Sequence, residues 1–143
     1  MNSKIYEFDP VLYPVKFWVC KKPDVKDVNS VLYALDENAE IVDNGFGESL
    51  DDFGAYAKTF LAGNKKSNLK GCLVVLIRPG ECRAGICSHE ALHFVAYCSE
   101  MFDIPLGTFM HSEPLAYLEQ WATNCIDCVR TGHPELMGGC LLE

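Results

Sequence analysis

The chain lacks any apolar run approaching the length of a bilayer span, and its first residues, MNSKIYEFDP, contain neither an apolar signal core nor a cleavage site. A membrane-spanning helix is therefore not expected, and the protein is expected to stay in the cytoplasm. Cations are also scarce, with 12 lysines and arginines against 20 aspartates and glutamates and a formal net charge of −8. Such a surface repels a phosphate backbone, and the pairs Lys21-Lys22 and Lys65-Lys66 read as loop and turn residues. Neither nucleic acid nor membrane is an expected partner. Internal repeats and low-complexity tracts are missing too. What remains is 143 residues, 49% of them hydrophobic, enough for one sizeable core and too few for two ordinary domains.

Cysteine is plentiful, at eight residues, yet without a secretion signal the even number does not imply disulfides. Cys72, Cys98 and Cys125 are expected to act as small hydrophobes. Cys125 and Cys128, with Cys82 and Cys87, have an imperfect spacing for a four-sulfur zinc site, because the first pair falls inside a helical stretch rather than on a knuckle.

Histidine is scarce, with four in the chain, and two of these lie in His89-Glu90-Ala91-Leu92-His93. On a helix, residues i and i+4 share a face, so both imidazoles can reach one metal ion while Glu90 projects toward a water completing its shell. Around residues 86 to 101 the apolar positions cover most of the circumference, which predicts a largely buried helix. Unpaired polar groups in such a helix cost several kcal/mol each, and a shared metal ion would give His89, Glu90, His93 and Glu100, which fall in one sector of the helical wheel, a common partner. The stretch before it, Lys70 to Arg78, is a short run rich in Val, Leu and Ile that reads as a buried strand, followed by a loop from Pro79 to Gly85.

This succession of strand, loop and H-E-x-x-H helix over residues 70 to 130 resembles a small zincin, closest to the minimal gluzincin type and similar to short metallopeptidase-like proteins encoded by phages. The resemblance implies zinc as cofactor, His89 and His93 as ligands, Glu90 as general base and a peptide or protein as substrate. It also implies a third ligand, a Glu on the following helix, which begins near Ser112. Glu113 is favoured, because Tyr117 lies one turn away where a phenol could stabilise an oxyanion. Glu119 and His111 remain alternatives. An acidic residue is usual four positions after the ligand Glu, and Tyr117 stands there instead.

The N-terminal half carries scaffold signals. Val11 to Cys20 reads as a strand with Pro14 near its start. Asp24 caps a helix in which Val25, Val28, Val31, Leu32 and Leu35 recur at helical spacing. Asp43-Asn44-Gly45 marks a turn. Ala55 to Leu61 fits either a helix capped near Ser49 or a strand; the loop from Gly63 to Asn68 favours a strand antiparallel to residues 70 to 78. The expected fold is α+β: one domain over residues 1–130 with a mixed or antiparallel sheet of about three to four strands and about three helices, then a flexible tail over 131–143. The expected activity is zinc-dependent peptide hydrolysis. The alternatives are a zincin-fold binding module without catalysis, or a structural protein whose H-E-x-x-H is coincidental.

Overall fold

The structure, a computed structural model, describes residues 2–47, 50 and 54–143. It is an α+β domain in which a mixed sheet carries helices on both faces. The strands are β1 (Ile5–Phe8), β2 (Lys16–Lys21), β3 (Leu32–Ala34), β4 (Ala57–Asn64), β5 (Lys70–Leu76) and β6 (Cys140–Leu141), and the helices are α1 (Val25–Val31), α2 (Ala84–Phe102) and α3 (Glu113–Arg130). The sheet order is β3-β4-β5-β2-β1-β6, six strands where three to four were expected. β2 and β5 pair in parallel, and every other pair is antiparallel.

Alternation along the central strands creates two cores. Phe17, Val19, Cys72, Val74 and Leu76 point toward α2 and α3, where Phe94 and Trp121 meet Phe17 at ring distances of 4.5 and 5.9 Å. Trp18, Cys20, Leu73 and Val75 point the other way, against Val28 of α1 and against Phe46 and Leu50. The close approach of β5 to β2 depends on Gly71, since a Cβ there would lie 1.8 Å from the Lys16 carbonyl oxygen.

Several sequence expectations hold. Asp24 caps α1, its carboxylate accepting from the Lys26 N–H, and β4 pairs antiparallel with β5 as the loop chemistry suggested. The helix cap near Ser49 falls outside the described residues. Two elements differ. Val11 to Pro14 bends before β2 begins: Val11 is left-handed at φ 69°, its N–H is taken by Asp9, and Leu12 and Val15 make local turn bonds. The helix from Asp24 stops at Val31, and Leu32–Ala34 passes into the sheet against Ala62–Asn64. Residues 131–143, expected as a flexible tail, carry a 3-10 turn at Pro134–Met137 and the strand β6, with Leu142 buried in the second core. No helix among the described residues is long and apolar enough to cross a membrane.

Candidate metal centre

α2 is the element that assembles the site. It runs for 19 residues and ends where Asp103 turns left-handed at φ 52°, with the Ser99 hydroxyl donating to the Ile104 carbonyl at 2.6 Å. One side of it, Cys87, Glu90, Ala91, Phe94, Val95 and Cys98, is buried against the sheet and α3. The expectation of a largely buried helix is therefore corrected. His89, Leu92, His93, Ala96 and Glu100 form an exposed strip, with Leu92 59% exposed, because the sheet and α3 cover only part of its circumference. That strip places the two imidazoles where a ligand can reach them.

Ligating atoms of His89, Glu90 and His93 lie within 4.8 Å of one another, close enough to hold a metal ion, and no other such group of three or more occurs among the described residues. The rings of His89 and His93 sit 5.2 Å apart at 72°. Glu90 is only 4% exposed. Burial pushes its carboxyl above the usual range, and the neighbouring His93, His89 and Thr59 pull it partly back. Thr59 on β4 also donates its hydroxyl to the Glu90 carbonyl oxygen at 3.4 Å, fixing this turn of α2 against the sheet.

The other sequence-derived residues are placed unequally. Glu113 and His111 are exposed before and at the start of α3, and Tyr117 is 65% exposed. None of Glu113, Glu119 and His111 belongs to the group formed by His89, Glu90 and His93. Glu119 differs from the other two in facing α2, where its Oε1 accepts from the Ser88 hydroxyl at 2.9 Å. Two buried side-chain oxygens among the described residues have no hydrogen-bond partner: Glu90 Oε2 and Glu119 Oε2. One lies inside HEALH, and the other belongs to the carboxylate whose Oε1 accepts from Ser88, the residue just before it. A buried carboxylate oxygen left unpaired is costly, and a metal ion held by His89, Glu90 and His93 would give Glu90 a partner.

Sequence reasoning did not single out Tyr97 or Thr59. Tyr97 follows His93 by one turn, the same i+4 signal that linked His89 to His93, and lines a cleft with it. Burial, with Cys72 and Cys98 nearby, pushes its phenol up to about 12, so it stays protonated at neutral pH. Thr59 had no sequence signal, since only strand pairing brings it to α2.

The cysteines do not form a second centre: all eight are free thiols, with Cys140 exposed and the other seven buried. Cys125 and Cys128 lie within α3, with the Cys128 thiol donating to the Cys125 carbonyl. His133 is exposed and pairs with Glu135 at 3.4 Å. No family model, no curated protein and no solved structure matches the chain.

Proposed function

We propose that the protein is a zinc-dependent hydrolase acting on peptide bonds, built as a minimal zincin of gluzincin type. The observation that carries this reading is the group of His89, Glu90 and His93, whose ligating atoms lie within 4.8 Å of one another and in which the buried Glu90 Oε2 has no hydrogen-bond partner. His89 and His93 supply neutral nitrogen donors, and Glu119 supplies the third protein ligand in preference to Glu113, because it faces α2 and retains an unsatisfied oxygen there. Zinc held by these residues supplies a Lewis acid that polarises a carbonyl and acidifies water.

Glu90 carries the proton chemistry. Its buried carboxylate has a raised affinity for protons, which suits a group that takes one from water and returns it to a leaving amine. The Thr59 bond keeps the Glu90 backbone from shifting, so the carboxylate presents to the exposed strip in one orientation. Tyr97, protonated and one turn beyond His93, offers a hydroxyl to an oxyanion, a role for which the more exposed Tyr117 is less well placed.

The test is metal content by mass spectrometry on protein purified without a histidine tag, paired with turnover on a peptide library. Near-stoichiometric zinc is expected in the wild type and in Glu90→Gln, with hydrolysis lost in that variant, and both zinc and hydrolysis lost in His93→Ala. A wild type that neither contains nor takes up zinc overturns the metal centre. A hydrolytically active Glu90→Gln removes the general base, and zinc without turnover leaves a binding module.

A further inference from the structure

The exposed strip of α2 does not stop at His93. Between it and β4 runs an open cleft of about 270 Å³ that begins at His93 and Thr59 and continues past Ala96 and Tyr97 to Glu100. Leu61 and Cys72 supply apolar lining. Glu100 is the one carboxylate among the lining residues, and no lysine or arginine is among them. From His93 to Glu100 is seven residues, about 10 Å along a helix axis.

We infer that this cleft is the pocket for a substrate side chain beside the scissile bond, and that it selects a long basic one, lysyl or arginyl. The inference rests on the hydrolase reading. Its geometry follows from three features. A chain held with its carbonyl at His93 can lay one side chain along α2, and the apolar lining matches the methylene stem of such a residue. The carboxylate stands two turns away, beyond the reach of a short side chain and within that of a long one. A negatively charged terminus at the far end of the cleft would meet Glu100 with no lysine or arginine in the lining to offset it, so acidic residues are disfavoured.

Binding and cleavage test this separately. In the first experiment, Nα-acetyl-lysine methylamide and its norleucine counterpart are titrated into the isotope-labelled, as-purified protein and followed by NMR. The lysine compound is expected to shift the amides of Thr59, Leu61, Ala96 and Tyr97 and to bind about two- to fivefold more tightly than norleucine, the range of one partly exposed ion pair. Glu100→Gln should erase that difference, and Glu100→Lys should reverse it. Equal binding of the two compounds, shifts confined to another surface, or indifference to Glu100→Gln overturns the inference. Cleavage of the peptide library then separates the two readings. Turnover without preference for lysine or arginine beside the cut keeps the hydrolase and overturns the pocket. Lysine binding in the cleft without any turnover keeps the pocket and overturns the hydrolase.

Discussion

The hydroxyl of Ser88 donates to Glu119 Oε1 at 2.9 Å and so ties the residue before HEALH to the middle of α3. The bond leaves Glu119 Oε2 buried and without a partner, which distinguishes this glutamate from the exposed Glu113. Glu119→Ala is therefore expected to weaken zinc binding by at least about tenfold, while Glu113→Ala and His111→Ala leave it within about twofold. Competition against a chromophoric chelator measures all three. A loss confined to Glu113→Ala would move the third ligand to the start of α3.

Phe94 is the largest side chain that α2 buries in the core, within a cluster of tilted aromatic rings. Phe94 is fully buried between Phe17 of β2 and Trp121 of α3, with ring centroids 4.5 and 6.0 Å away. Phe94→Ala should cost about 3–5 kcal/mol, the range for removing a buried aromatic. Against a total of about 5–15 kcal/mol for a typical domain, that leaves a marginal protein. Chemical denaturation of the metal-free chain reads the loss directly. A cost below about 1 kcal/mol would show that α2 is held by something other than this cluster.

The parts of this architecture that were legible in the sequence are those set by local chemistry. HEALH fixes its own geometry once it is helical, the Val, Leu and Ile run of β5 has no competing reading, and the loop from Gly63 to Asn68 dictates an antiparallel partner. Leu32 to Leu35 was misread because its apolar residues satisfy both the helical and the alternating period, and pairing with Ala62–Asn64 decides between them. β6 is two residues long and exists through its pairing with Tyr6 and Glu7, more than 130 positions earlier, so no local pattern announces it. Glu113 and Glu119 sit at opposite edges of the apolar arc of α3. Which edge meets α2 is a property of helix packing, and the Ser88 contact reveals it.

The thiols give a pH dependence with a definite sign. Burial pushes Cys98 up to about 12 and Cys128 up to about 11, from an ordinary value of 9.0. Between pH 9 and those values the unfolded chain gives up thiol protons that the folded chain retains, so the folded state loses relative stability as pH rises. For Cys98 alone the loss reaches about 1.4 kcal/mol at pH 10, one unit above its unfolded value. Thermal midpoints should thus fall steeply above pH 9, and Cys98→Ala should flatten that fall. Under native conditions at pH 8, a thiol reagent should modify the exposed Cys140 quickly and the seven buried cysteines only on unfolding. Rapid labelling of several thiols in the folded protein would contradict the burial of this core.

Tyr117 and Tyr97 are rival donors for the oxyanion in the proposed reaction. Four positions after Glu113, Tyr117 was expected to stabilise an oxyanion, yet its side chain is 65% exposed on α3. Tyr97 instead lines the cleft that begins at His93. Removing a working oxyanion donor costs about 10²–10³ in turnover, whereas removing an exposed phenol that touches no reacting atom costs almost nothing. Tyr117→Phe should accordingly keep kcat/KM within about twofold of wild type, and Tyr97→Phe should lower kcat by at least about tenfold with zinc content unchanged. The contrast matters because both substitutions remove only a hydroxyl, so a shared effect on folding cannot produce it. The reverse result, with Tyr117→Phe the damaging change, would mean that the start of α3 closes over HEALH when substrate binds and would return Glu113 to the centre along with it.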